Sequence, residues 1–375
     1  LADIYPIPLI IAGLFFCFII YHLCKSLNIV CTKQQALILL ILISNPLALS
    51  NWLFRYDSAF MLLSIAFALI PFCLLHLPTK KWLTYSTLAL LGSLMTYQIS
   101  INIFIGFTAI FAFKFAVEHK TFKEISYFIL RSIITLGVAY LIYSKVILAI
   151  MPTHDYFAQF RELPNFNNII SVIQKNTIQS YQFIKPLFQS GLFIPYLVAL
   201  LFNIYALLRV KNSLVACMYI VAFLTTIFAI SGAMLFSPNA PYSTRTFLGI
   251  IPFLVFPSIV LILLKHYKLF FISTIYLCLT MLVIGRAALN ATSAEIRHQN
   301  IIAQQIMTEA SINHIAEIEQ IMILGKPIKS GIAQISETTY PIVSQILPYT
   351  FSGAYDVGRY VMMFNGYPKT TYPEP

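Results

Sequence analysis

Ten stretches of this chain are apolar enough and long enough to cross a bilayer, and Lys and Arg crowd alternate connections between them. A crossing takes roughly 17–25 mostly apolar residues, because a helix rises about 1.5 Å per residue through a hydrocarbon core of about 30 Å. The stretches are 4–24, 35–50, 58–77, 83–97, 101–117, 126–149, 191–208, 213–235, 246–264 and 268–289. The pattern predicts an all-α polytopic membrane protein. Composition matters here for one reason: with 59% hydrophobic and only 10% charged residues, there is too little polar surface to clothe a soluble domain of this length. The pairs 83–97/101–117 and 191–208/213–235 are closely spaced, so short or tilted helices, or one re-entrant pair, stand as alternatives.

Topology follows from the charges. One set of connections carries Lys25 and Lys33, Lys80 and Lys81, Lys114, Lys120 and Lys123, Arg209 and Lys211, then Lys265 and Lys268. The opposite short connections carry only Arg55 and Arg245. The positive-inside rule makes the first set cytoplasmic, so residue 1 starts outside and ten crossings return the chain outside near residue 290. The net charge of +11 is therefore topological, with some cations positioned for anionic lipid headgroups. Scattered over separate turns, the cations form no nucleic-acid footprint.

The helical body is expected over 1–290, with a larger outer loop at 150–190 containing a short helix near 168–184. The tail, 291–375, reads as a small outer α/β domain. Ile296, Ile302, Ile306, Ile315 and Ile318 recur at near-helical spacing and predict an amphipathic helix over 293–320. "IMILGKP" (321–327) predicts a short strand, "YPIVSQIL" (340–347) a helix start, and 359–364 a further strand.

None of the six Cys lies in an outer loop, and neither they nor the dispersed His residues show metal-ligand spacing. No cofactor is expected. GxGxxG, P-loop, GxSxG and HExxH patterns are absent from the sequence, which leaves nucleotide hydrolysis and dinucleotide chemistry without support. An enzyme acting outside has no nucleotide sugar to draw on, so its donor would arrive in the membrane as a polyprenyl-phosphate-linked sugar.

Acidic residues are scarce, 13 in all, and only Asp3, Asp57, Asp155 and Glu162 fall at the outer surface of the body. Ionisable groups at membrane depth are costly and often functional. In "NPLALSNWLFRYDSAF" (45–60), Arg55, Tyr56 and Asp57 stand together at an outer turn. A guanidinium matches phosphate oxygens in a two-pronged fit, and a carboxylate takes a proton or orients a sugar hydroxyl. The structural alternative is an Arg–Asp pair with Asp57 or Ser58 capping the next helix. In "TYQISIN" (96–102), Tyr97, Gln98 and Asn102 either bind a saccharide or satisfy the turn's own backbone. Arg245, beside Tyr242, is a second outer cation for phosphate or headgroup. Lys145, inside "LIYSKVILAI" (141–150), is a third, with snorkelling to headgroups as its alternative. The group His154, Asp155, Arg161 and Glu162 reads as a surface salt-bridge network.

At "RYDSAFMLLSIAFALIPF" (55–72) and "LMTYQISINIFIG" (94–106) the chain resembles the membrane glucosyltransferases that modify bacterial O-antigen, the serotype-converting Gtr type of GT-C architecture. "DIYPIPLIIA" (3–12), "ILGKPIKS" (323–330) and "YPIVSQIL" extend the likeness over nearly the whole chain. The resemblance implies transfer of glucose from undecaprenyl-phosphate-glucose to a lipid-linked O-antigen repeat at the periplasmic face of the inner membrane. It also implies acidic catalytic residues in the first outer loop after the first span. That loop would precede Leu1, with Asp3 as its last acidic residue. An additional upstream span is expected on the same ground, since no signal peptide delivers the outer Leu1.

The reading is thus a hexosyltransferase whose candidate catalytic residues are Asp57 and Asp3. Arg55, Arg245 and Lys145 are the candidates for the donor phosphate, and Tyr56, Tyr97, Gln98 and Asn102 those for saccharide. A flippase for a lipid-linked saccharide is the first rival, although polar groups gather at the outer surface and no internal repeat suggests alternating access. An O-antigen polymerase, expected to depend on large outer loops, and a non-catalytic scaffold displaying the tail are the others.

Overall fold

A computed structural model describes residues 6–53, 57–150, 168–312 and 328–347 of the protein, and among these residues there is no strand. The helices are α1 (Ile7–Ser26), α2 (Thr32–Ser44), α3 (Pro46–Leu53), α4 (Ser58–Cys73), α5 (Thr79–Thr96), α6 (Ile101–Val117) and α7 (Phe122–Ile142), then α8 (Ile169–Leu187), α9 (Phe193–Leu208), α10 (Ser213–Ser231), α11 (Ile250–Leu263), α12 (Tyr267–Ile312), α13 (Gly331–Thr339) and α14 (Val343–Ile346). Contacts divide the chain into two units, Leu1–Leu282 and Val283–Pro375.

In the first unit α11 and α6 form the centre. Residues 250–262 of α11 are buried around the whole circumference, as expected of a helix apolar on every face. Helix α6 packs against both α10 and α11, α4 packs against α1, α5 and α6, and α9 packs on α11. Phe72 contacts Phe104, Phe107 and Phe111, with the Phe72 and Phe111 rings stacked at 5.0 Å between centroids. By contrast Leu130, Ile133, Leu141, Leu201, Leu208, Ile220 and Leu224 are exposed. So many large apolar side chains facing outward on three helices suit hydrocarbon as the surrounding solvent. The protein is an all-α polytopic membrane protein.

Among the described residues, six helical stretches are long and apolar enough to cross a membrane: Ile7–Ser26, Gln98–Val117, Phe122–Ile150, Ile169–Leu208, Ser213–Phe236 and Tyr267–Ile306. The pair α2 and α3, bent by 70° at Asn45, makes a seventh if it counts as one broken span. Helices α4 and α11 are apolar but shorter. At 16 residues, α4 is about 24 Å long, less than a typical hydrocarbon thickness. Helix α5 has the length but opens on Lys80 and Lys81.

The short helix expected near 168–184 in the outer loop is α8, Ile169–Leu187. Helix α8 continues through a π-helical turn, Phe188–Leu192, into α9, with Gly191 at a φ of +102° supplying the kink that only glycine adopts without strain. The start of that loop, 151–167, lies outside the described residues, as do both expected strands.

In the second unit the expected amphipathic helix is the continuation of α12, which runs unbroken to Ile312. Glu295, buried on α12, accepts hydrogen bonds from the Ser330 backbone N–H (2.9 Å) and from Gln299 (3.1 Å). The His298 ring donates to the Ile328 carbonyl (2.9 Å). Ser330 also caps α13, accepting from the Ala333 N–H at 3.3 Å, and Lys329 pairs with Glu337. A buried side chain of this kind is tolerated because each oxygen has a donor, one from the N-cap residue of α13 and one from a neighbouring amide.

Candidate functional site

Helix α5 stops at Tyr97, whose backbone is extended, and a single 3-10 turn, Gln98–Ser100, leads into α6. Serines hold this turn against its neighbours. Ser93 donates to the Ser64 carbonyl of α4 (3.1 Å), and its hydroxyl lies 2.8 Å from that of Ser100. The two residues at the turn reach in different directions. The Tyr97 phenol donates to the Arg245 carbonyl (3.2 Å). The Gln98 amide donates to the Tyr143 hydroxyl, and Tyr143 opens the π-helical turn Tyr143–Ile147 that carries Lys145. One short turn therefore ties together the segments bearing both cations.

Asp57 belongs to the same neighbourhood. It occupies the N-cap position of α4 but its side chain makes no capping hydrogen bond, so the capping role weighed from sequence is not the one it performs. The Tyr97 phenol lies within electrostatic reach of both the Arg245 guanidinium and the Asp57 carboxylate. Asp57 is exposed and Arg245 half-buried, which leaves the carboxylate accessible while the guanidinium sits where its charge is less screened.

The Arg245 turn is built from within. Ser243 and Thr246 form a reciprocal capping box around Thr244–Thr246, and the Thr246 hydroxyl donates to the Pro241 carbonyl (2.9 Å). Below it, the buried Asn176 of α8 donates to the carbonyls of Met234 (3.0 Å) and Ser237 (2.8 Å) and accepts from the Tyr242 phenol (2.9 Å). Burial lifts the Tyr242 phenol above its ordinary pKa, so it remains protonated and a donor at physiological pH. Phe183 of α8 stacks on Phe247 at 4.7 Å.

Of the two readings open for Asn102, the structure gives it backbone partners, though beyond its own turn. It is buried, its amide N–H donates to the Ser231 carbonyl (3.4 Å), and its oxygen accepts from the Ala233 N–H (3.3 Å). Between those residues Gly232 takes a φ of +46°, and a Cβ there would sit 1.9 Å from the Asn102 oxygen. Asn102 thus fixes the end of α10, from which the Arg245 turn departs. Of the other candidates, Lys145 is exposed, and Asp3, Arg55 and Tyr56 lie outside the described residues. Sequence reasoning missed Asn176 and Gly232. The only local signal was the Gly at the end of an apolar run, which marks a helix terminus.

Among the described residues no three of His, Cys, Asp and Glu gather where a metal ion could be held. What the site offers is a carboxylate at the start of α4 and a guanidinium on the turn before α11, both within electrostatic reach of the Tyr97 phenol, with a lysine on the π-helical turn that Gln98 bonds. The Glucosyl transferase GtrII family matches residues 1–262. The chain belongs to that family. The GtrII match covers Asp57, Tyr97, Lys145 and Arg245 together, and it supports a glucosyltransferase role with a sugar donor and an acceptor. Comparison of this GtrII member with curated proteins and with solved structures gave no match.

Proposed function

We propose that the protein transfers a glucosyl group from a polyprenyl-phosphate-linked glucose to a lipid-linked O-antigen saccharide at the periplasmic face of the bacterial inner membrane. The observation that carries this reading is the convergence of Asp57, Tyr97 and Arg245 at connections whose sparse positive charge marks them as outer. In this reading the chain crosses ten times, with α4 and α11 as short spans, and the tail lies outside, where it helps to hold the acceptor.

The acceptor hydroxyl oxygen attacks C1 of the glucosyl group, and the bond between C1 and the phosphate oxygen breaks. The bonding electrons leave with the polyprenyl phosphate, whose new negative charge faces Arg245, with Arg55 and Lys145 as further cations. Fixed charges aimed at developing charge act without reorganisation cost. The hydroxyl proton passes to a carboxylate, for which Asp57 and Asp3 are the candidates. Tyr56, Tyr97 and Gln98 meet saccharide hydroxyls, and Asn102 positions the turn rather than touching sugar.

The test is reconstitution of the intact protein in vesicles of known orientation with radiolabelled polyprenyl-phosphate-glucose, or UDP-glucose, and a lipid-linked saccharide acceptor. Label should enter the acceptor only from the lipid donor, and only when donor and acceptor occupy the leaflet facing residues 237–247. Transfer from UDP-glucose, or movement of the lipid donor across the bilayer without bond formation, would contradict the proposal.

A further inference from the structure

Helix α3 carries an unusual load of unsatisfied polarity. Asn51 is 2% exposed, yet neither atom of its carboxamide has a hydrogen-bond partner. The indole N–H of Trp52 is likewise shielded and without a partner, as is the Asn45 amide nitrogen at the bend between α2 and α3. The buried amides of Asn176 and Asn102 are paired; Asn203 on α9 is a second buried carboxamide with neither atom paired, but it stands alone on its helix. Buried donors and acceptors left unpaired cost free energy, and native proteins keep few of them. With the Ser44 hydroxyl at the end of α2, four residues of one bent helix pair carry such groups, and the cluster therefore calls for a ligand.

Position identifies which ligand. Helix α3 packs against Thr244–Thr246, the turn that holds Arg245, and against α4, which Asp57 opens. Asn51 and Trp52 lie in its last turn, only a few residues before Asp57. In a glycosyl phosphate the sugar hydroxyls lie immediately beside the phosphate group. Polar groups set between a phosphate-binding cation and a carboxylate base are where those hydroxyls would be read. A carboxamide is suited to this, since it donates and accepts at once and can bridge neighbouring hydroxyls, while the indole supplies a donor only.

We propose that Asn51 and Trp52 recognise the hydroxyls of the transferred glucosyl group, making α3 the specificity element of the donor site. This rests on the glucosyltransferase reading above. The acceptor saccharide offers the same hydroxyl chemistry, and the two sources separate kinetically.

The experiment uses the intact protein with polyprenyl-phosphate-glucose and the lipid-linked acceptor, and compares wild type with Asn51→Leu and Trp52→Phe. Asn51→Leu should raise the donor KM about tenfold, the loss of one well-made hydrogen bond or somewhat more, and leave the acceptor KM unchanged. Its Tm without substrate should equal or exceed that of wild type, because an apolar side chain of similar volume replaces an unpaired amide. Trp52→Phe, which removes the N–H and keeps the ring environment, should raise the donor KM several-fold. A donor lacking one glucose hydroxyl should be discriminated against by wild type and less so by one of the variants. If wild type transfers glucose and both variants match it, buried water satisfies these groups and the inference fails alone. A lowered Tm for Asn51→Leu, or a change confined to the acceptor KM, would also overturn it. If wild type transfers no glucose from the lipid donor, the glucosyltransferase reading itself fails.

Discussion

At the residue scale, the site depends on side chains that hold the Arg245 turn as much as on Arg245. Gly232 has both reasons to be glycine at once, a φ of +46° and the Asn102 oxygen 1.9 Å from any Cβ. Gly232→Ala should cost about 2–4 kcal/mol, since left-handed strain and overpacking add, and it should lower Tm in detergent. Asn176→Ala removes the amide that gathers Met234, Ser237 and Tyr242 and should cost about 2–3 kcal/mol by leaving buried carbonyls unpaired. Because it loosens the segment leading to Arg245, activity should fall more than Tm alone would explain. A thermal shift measured beside transfer activity checks both. These residues were not legible in the sequence. Asn102 stood in a polar turn and read equally as a saccharide ligand or as a partner for the turn's backbone, and its bonds to the backbone of Ser231 and Ala233, more than a hundred positions away, could not be foreseen. Arg245 and Asp57 were legible because a charge at an outer connection is rare enough to stand out.

At the element scale, hydropathy located helices well but not their ends or bends. The stretch 191–208 was visible as apolar. Its fusion with α8 through a π-helical turn was not, because a single glycine such as Gly191 does not by itself distinguish a kink from a helix end. The 70° break between α2 and α3 falls at Asn45-Pro46, a helix-breaking pair that hydropathy alone passes over. Helix α7 begins with a capping box in which Thr121 and Glu124 bond reciprocally. Hydrogen bonds from the Thr121 backbone and hydroxyl hold the Glu124 carboxyl below its ordinary pKa. A depressed carboxylate pKa contributes stability above the unfolded value near 4.5, and that contribution is lost as pH falls through the folded value. The Tm difference between wild type and Glu124→Ala should therefore be constant between about pH 5.5 and 7 and shrink as the pH falls below about 4.5. In the second unit, Glu295→Ala should release Ser330 and the start of α13, seen as faster amide hydrogen exchange over 330–336.

At the scale of the whole molecule, the membrane class was fixed by composition and by charge alternation, both of which average over many residues and survive local errors. The number of crossings was harder, because α4 and α11 are short and buried within the bundle, so their apolarity serves packing as much as lipid contact. The proposed sidedness rests on the positive-inside rule applied to Lys80, Lys81, Lys120, Lys123, Lys265 and Lys268. A single cysteine introduced at Asn239, in a background lacking the native thiols, should react with a membrane-impermeant maleimide from the periplasmic side. One at Lys120 should react only after the membrane is permeabilised.

The central claim is that the Arg245 end of the helical body binds the donor phosphate during glucosyl transfer. The most direct measurement is kcat/KM for polyprenyl-phosphate-glucose in wild type, Arg245→Ala and Arg245→Lys, with the Tm of each confirming that it folds. Removing a charge that faces the leaving phosphate should lower kcat/KM roughly 100-fold or more in Arg245→Ala, with Arg245→Lys falling between because a point charge replaces a two-pronged fit. A folded Arg245→Ala enzyme with wild-type kcat/KM would contradict the account.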